Sequence, residues 1–509
     1  MRAPFWWSFG VCLAVSSPIL PAQDAAVLPP PERLVILHTN DLHGQIRPVR
    51  VVSRPGVERS AGGYASLEAY VRQARSQAAA RGAELWLTDG GDWFQGTPEG
   101  NEDRGRSMMS YLNRLKFTAT VLGNHEYDFG EQNLMDVLAL AEHPVLGANI
   151  VEREDYSLLR PYVDRFVVKR FGDIRVALVG LIAGETRQVS TGPFGDADFV
   201  DEVECLRKLW PALAAAADEF VLITHCGLPT DRRLARAFPG VRLILGGHSH
   251  TPLPRGTREG DTWIAQSGGK STAISRVTLK LDQGCLKVED VTLVGLTPPE
   301  TTERETGEFL DRTFDHIGAK WDTPIGKVLG APDRRMRGSG RSTPVGNYVA
   351  GMLRRAAKAD VGLTNKGGLR TNLPQGDVTR RHIFELLPFD NPVHVMEMRG
   401  QQLWSLLAQG LRPGHLPLEI AGASYSYAVV DGRRELRGVE VGGRTINPSA
   451  SYRVATSSFL AAGGDGFTVF EAVESAPLGP EFMRAIMLTE LRLHGQVRLV
   501  DEPRIRLVE

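Results

Sequence analysis

Apolar positions along the chain fall into two regimes. Between Arg33 and about Thr297, short unbroken apolar runs recur: Leu34-Val35-Ile36-Leu37, Leu85-Trp86-Leu87, Ala119-Thr120-Val121-Leu122, Val221-Leu222-Ile223 and Leu243-Ile244-Leu245. Each is followed by a cluster of Asp, His, Asn or Gly. Runs that do not alternate with polar residues suit strands buried on both faces. Leu- and Ala-rich stretches, such as Leu67 to Ala80 and Leu206 to Ala217, lie between several of them and predict helices. The pattern predicts a layered α/β domain over 33–297, with its polar clusters at the rim of the sheet where α/β folds place ligands.

Near Pro298-Pro299 the pattern breaks. Phe309 or Leu310, Phe314 and Ile317 share one face of an expected linker helix within 298–324, and a second, smaller α/β domain is expected over 325–509. Ser342 or Thr343 can cap a helix there, Pro344 suits its first turn, and Val345, Val349, Met352, Leu353 and Ala356 follow at helical spacing. An expected strand, Val361 to Thr364, leads into the loop Asn365-Lys366-Gly367-Gly368-Leu369-Arg370. Another, Tyr452 to Thr456, precedes Phe459 and Gly463-Gly464-Asp465-Gly466.

Composition narrows the function. A length of 509 residues suits two domains. A net charge of −1 offers no broad attraction for DNA or RNA, so no nucleic-acid polymer is expected as partner. Arg2, the apolar run Phe5 to Val15 and a small-residue stretch ending at Ala22 read as a signal peptide over 1–22, giving a periplasmic or secreted protein. The run is too short and broken for a good membrane span, so no stable membrane anchor is expected. Cleavage leaves Cys205, Cys226 and Cys285, an odd number without a CxxC pair, which makes a thiolate metal site improbable. Both a monomer and a homodimer are compatible with the sequence.

The chemistry lies in five clusters of the front half: Asn40-Asp41-Leu42-His43-Gly44, Gly91-Asp92, Gly123-Asn124-His125-Glu126-Tyr127-Asp128, Thr224-His225 and Gly246-Gly247-His248-Ser249-His250. A lone Asp-x-His is usually a surface pair, and a lone His-x-His a satisfied loop. What distinguishes these clusters is that all five occur in order, each after an apolar run. Imidazole, carboxylate and amide oxygen without sulfur suit zinc, manganese, cobalt or iron. Two divalent ions partly offset by Asp41 and Asp92 would leave positive charge for a phosphate and an acidified water.

With these motifs, and with Asn365 to Arg370, Phe389, Phe459 and Gly463 to Gly466 behind them, the chain resembles the 5′-nucleotidase and UDP-sugar hydrolase family, two-domain calcineurin-like metallophosphoesterases, over about residues 33 to 500. The resemblance implies a layered β-sandwich domain flanked by helices, followed by a smaller α/β substrate-binding domain. It also implies two divalent ions. One would be held by Asp41, His43, Asp92 and His250, the other by Asp92, Asn124, His225 and His248. His125 would contact the phosphate and Asp128 would orient it. Phe389 and Phe459 would stack on the base, with Asn391 beside it, Asp465 would bind ribose hydroxyls, and Asn365 and Arg370 would hold the anionic end. The family usually carries further arginines before Pro344. Here Ser339 falls at one such position, with Arg334, Arg335, Arg337 and Arg341 nearby, and Arg341 is taken as a candidate.

The expected reaction is hydrolysis of a nucleoside 5′-monophosphate to nucleoside and phosphate by a hydroxide generated on the metals. Alternatives are UDP-sugar hydrolysis and 2′,3′-cyclic nucleotide hydrolysis with 3′-nucleotidase activity. A thiosulfohydrolase on a related scaffold would carry tryptophan at His125. A secreted binding or adhesion protein would have lost ligands, and none is lost.

Overall fold

The computed structural model describes residues 32–52, 58–152, 159–330 and 341–508. The expected leader, its cleavage point at Ala22, and Arg334, Arg335, Arg337 and Ser339 lie outside the described residues.

The front half is built on two sheets. In the first, seven strands run in the order Cys285–Gly295, Ala273–Asp282, Arg33–Thr39, Glu84–Asp89, Ala119–Val121, Val145–Leu146 and Val163–Asp164. Arg33–Thr39, Glu84–Asp89, Ala119–Val121 and Val145–Leu146 pair in parallel. The second sheet has six strands, with Ile174–Ile182, Glu219–His225, Val241–Leu245 and Thr262–Ala265 parallel at its centre.

Successive strand residues face opposite ways, and here both faces are covered. Leu34 and Ile36 enter an inter-sheet core with Trp86, Val121, Leu178, Val221 and Leu245. Val35 and Leu37 face a helical layer that includes Leu67 and Val71 of Tyr64–Ala80 and Leu112 of Arg106–Leu115. On the far side, Val179, Leu222 and Ile244 pack against Leu206 and Leu213 of Glu202–Ala216 and Leu234 of Leu228–Ala237. The result is helix, sheet, sheet, helix, and it explains the unbroken apolar runs.

Arg304–Trp321 is a helix whose Phe314 and Ile317 belong to the front-half core. Thr306 Oγ1 donates to Glu68 Oε2 at 3.0 Å. After Asp322 the chain enters the strand Pro324–Leu329, which pairs with Gly376–Thr379 and Gln496–Arg498 of the rear half. The rear half also holds a five-stranded sheet containing Val361–Thr364, Ser451–Ser457 and Pro392–Arg399, and a four-stranded sheet. Pro344–Ala357 is the helix opening this region. Thr343 is its cap, accepting from Gly346 N, whereas Ser342 Oγ donates to the Glu502 carbonyl.

The halves are tied together by charge. Arg381 donates to Glu99 at 2.5 Å and to Asp322 at 2.6 Å. Arg47 meets the same two carboxylates at 3.1 and 2.7 Å. The three described cysteines are all free thiols. Among the described residues no helix is long and apolar enough to cross a membrane.

Candidate metal and substrate site

The polar clusters gather where parallel strands of both sheets end. Thr39, Asp89, Val121, His225 and Leu245 are the last residues of their strands, and the loops beyond them converge. Five residues there, Asp41, His43, Asp92, His248 and His250, have positive φ between 49° and 73°. Non-glycine residues pay a conformational cost in that region, so such strain persists only where surrounding structure imposes it, and it concentrates at functional sites. Gly91 permits the close approach of two of these loops: a Cβ there would come within 2.6 Å of Gly123 N.

The donor atoms form two overlapping groups, Asp41 with His43 and His250, and Asp41 with Asp92 and His225, each within 4.8 Å. His43 Nε2 lies 3.0 Å from His250 Nε2. His225 Nε2 lies 3.2 Å from both Asp92 Oδ2 and Asn124 Oδ1, and His248 Nδ1 lies 3.0 Å from the same amide oxygen. Asp92 Oδ2 also stands 3.8 Å from His43 Nε2, so it faces both groups.

Outer partners orient these rings. His43 Nδ1 is 2.7 Å from the Gln95 carbonyl and His225 Nδ1 is 2.6 Å from that of Gly90. Donation from Nδ1–H leaves each Nε2 lone pair facing the cluster, the arrangement of a metal-ligating imidazole. Asn40 Nδ2 donates to Asp41 Oδ2 at 2.6 Å, and its own carbonyl oxygen accepts from Ser267 N and Oγ. Glu126 is buried and accepts from Asp92 N, Trp93 N and Gly123 N, pinning two of the loops together. Burial and the neighbouring Asp92 push its pKa up to about 7.

The electrostatics are those of tightly coupled carboxylates and imidazoles. Burial opposes ionisation of Asp41 and Asp92, yet the surrounding imidazoles outweigh it and hold both carboxylates below their ordinary range. Burial also opposes the charged form of His225, and Asp92 overrides it, pushing that pKa up to about 10. A divalent ion binding here would displace such a proton. Burial and the His225 charge lower His248 to about 3, which keeps it neutral and ready to ligate. Asp41 Oδ1 is buried without a sound hydrogen bond, its neighbours being the Nε2 atoms of His250 at 3.0 Å and His43 at 3.8 Å. These features fit divalent cations held by nitrogen and oxygen donors.

His125 sits beside this cluster on the short turn His125–Tyr127. Its Nδ1 is 2.7 Å from Asp128 Oδ2, its backbone N donates to Asp92 Oδ1, and its Nε2 remains toward the cluster, 3.9 Å from Asp92 Oδ2. Burial alone would lower the imidazole. Asp128 and Asp92 outweigh it and hold His125 above its ordinary value. Asp128 is itself held by Ser190 Oγ and Thr191 N.

From this cluster a cavity of about 560 Å³ extends between the halves. Asp92, Asn124, His125, His248 and His250 line one part, and Asn365, Arg370, Phe389, Asn391, Phe459 and Asp465 line another. Arg370 reaches across to place Nη2 3.0 Å from His43 Nε2. Phe389 stacks on His125, centroids 5.3 Å apart at 21°. Asn365 Nδ2 donates to Asp465 Oδ2 at 2.7 Å. Arg341 is exposed and is not among the lining residues; its carbonyl oxygen accepts from Lys366 Nζ.

Residues 34–252 match the calcineurin-like phosphoesterase model, and 324–472 match the 5′-nucleotidase C-terminal domain. The chain belongs to the 5′-nucleotidase family of calcineurin-like phosphoesterases. It is a metal-dependent phosphoester hydrolase acting on nucleotides. It is 27% identical to a 5′-nucleotidase of Vibrio cholerae over 490 residues, 86% of each chain. It is 28% identical over 452 residues to the trifunctional nucleotide phosphoesterase YfkN of Bacillus subtilis, covering 77% of this chain but only 30% of that longer protein. The solved 5′-nucleotidase precursor of Thermus thermophilus superposes with a TM-score of 0.83 and 27% identity, covering 94% of this chain and 99% of that one.

Within this family member, several site features escape a sequence reading. Glu126 and Asn40 stood inside recognised clusters, but nothing local marked them as braces. His415, Glu185, Gln188 and Thr191 line the cavity, and the sequence around them has no motif. His38 is a buried strut between Thr88 Oγ1 and the Gly246 carbonyl, and burial lowers its pKa to about 4.

Proposed function

We propose that the protein is an exported nucleotidase that hydrolyses nucleoside 5′-monophosphates to nucleoside and phosphate. The observation carrying this reading is one cavity that joins imidazoles and the Asp92 carboxylate at one end to Phe389, Phe459, Asn391 and Asp465 on its other walls. Asp41, His43, Asp92 and His250 would hold one divalent ion, and Asp92, Asn124, His225 and His248 a second. When bound, such ions supply positive charge against phosphate oxygens and acidify water near neutral pH.

The chain's own residues do the rest. Arg370 and Asn365 grip the anionic end, the guanidinium fork suiting phosphate oxygens. Phe389 and Phe459 hold the base, Asn391 meets its edge and Asp465 accepts from ribose hydroxyls. Arg341 drops out of this set because it does not line the cavity. His125, oriented by Asp128, is placed to donate a proton from Nε2 to O5′ as the P–O5′ bond breaks and the water oxygen bonds to phosphorus. Export is supported by the sequence of residues 1–22.

The test is phosphate release by metal-reconstituted protein across 5′-, 3′- and 2′,3′-cyclic nucleotides and UDP-sugars. Fastest release from 5′-monophosphates is expected. Turnover confined to cyclic and 3′-nucleotides would overturn the assignment.

A further inference from the structure

His415 stands in the turn after the helix Gly400–Gln409, outside every motif, yet it lines the cavity together with Phe459 and Asp465. Its backbone N donates to the Arg412 carbonyl at 3.1 Å, which closes the turn. The ring is seated against the Gly463–Gly466 loop. A Cβ on Gly466, whose φ is +75°, would lie 2.9 Å from His415 Cε1, so a side chain at 466 would push the imidazole away. Phe467 meets the ring edge-on at 5.9 Å and 76°. Packing against the loop and Phe467 therefore positions the half-buried imidazole on the cavity wall. A positioned imidazole on the wall of a binding cavity offers a donor and an acceptor to a polar ligand edge.

We propose that His415 hydrogen-bonds the polar edge of the nucleobase and thereby sets the preference for nucleotides over sugar phosphates that lack a base. This rests on the nucleotidase reading above. Neutral imidazole offers one N–H and one lone pair, and tautomer exchange lets either nitrogen take either role. The contact is consequently suited to bases with a donor, an acceptor or both on the facing edge.

The test compares kcat/KM for AMP, UMP and ribose 5-phosphate in the wild type, His415→Ala and His415→Gln. Ribose 5-phosphate keeps the sugar and phosphate and lacks only the base. Selectivity for nucleotide over ribose 5-phosphate should fall about three- to tenfold in His415→Ala, the ordinary worth of one hydrogen bond, chiefly through KM. His415→Gln, which keeps a donor and an acceptor, should retain most of it. Equal losses on ribose 5-phosphate and on nucleotides would overturn the proposal in favour of a loop-packing role, as would equal losses of selectivity in both variants. If the wild type turned over no nucleotide, the nucleotidase reading itself would fall, and this one with it.

Discussion

The two ends of the cavity are built by different physics. At the front end most of the donors are buried, five sit in left-handed backbone, and Asp41, His43 and His225 are each braced by a second polar group. At the rear end the lining comes from loops, Phe459, Asn391 and His415 are half-buried, and aromatic faces and single hydrogen bonds replace the charge cluster. A site that must hold concentrated positive charge needs fixed ligand types, which the fold secures with strain. A site that grips a flat organic group draws on surfaces whose individual contributions are modest. Chemistry should therefore fail abruptly when the front end is altered, and selectivity should fade gradually when the rear end is.

The strongest challenge to that contrast is at Asp92. Removing metal with a chelator, or substituting Asp92→Asn, should lower phosphate release at least about a hundredfold, since even the outer partners of metal ligands cost 10- to 100-fold. Chelation should also lower the melting temperature, because the ions bind only the folded state. Normal metal content and activity in Asp92→Asn would break the picture of the front end.

Next in size is His125→Ala, with an expected loss of roughly 10²- to 10⁴-fold in turnover and near-normal metal content by elemental analysis. Smaller again is Phe459→Ala. It should lower kcat/KM for nucleotides about tenfold, in keeping with the worth of base stacking, while hydrolysis of a small aryl phosphate changes far less. Parallel losses on both substrates would argue that Phe459 supports the loop rather than the base.

The same contrast governs what could be read from the sequence. Apolar runs buried on both faces announce strands, so the layered front half was legible from Leu34 to Leu245. The candidate clusters were legible because imidazole, carboxylate and amide side chains recur directly after the apolar runs. Their left-handed backbone was not, for a φ of 53° at Asp41 is imposed by packing from distant segments. Nor was the brace at Glu126, which requires three backbone N–H groups from two loops to converge on one carboxylate. In the rear half the helix start at Pro344 was legible from local capping chemistry. Arg341, a candidate by its place in the sequence, does not line the cavity, while His415 lines it with no motif to mark it. Recognition residues on loops carry no spacing rule, so tertiary placement decides them.

The gentlest probe of the contrast is Thr343→Ala. Its Oγ1 accepts from Gly346 N at 3.0 Å and donates to Glu419 at 2.8 Å. Glu419 in turn holds Lys366 Nζ at 2.5 Å, and Lys366 belongs to the substrate loop that ends at Arg370. The substitution removes a helix cap, worth about 1 kcal/mol, and one of the partners of a buried carboxylate. The expected result in denaturant titration is a loss of about 1–2 kcal/mol of stability, with a rise of a few-fold in KM for nucleotides as the loop loosens. Metal content and turnover of a small aryl phosphate should stay within about twofold, because neither Thr343 nor Glu419 lines the cavity. A collapse of metal binding on so remote a change would show that the two ends share one rigid scaffold, and the graded behaviour expected of the rear end would have to be abandoned.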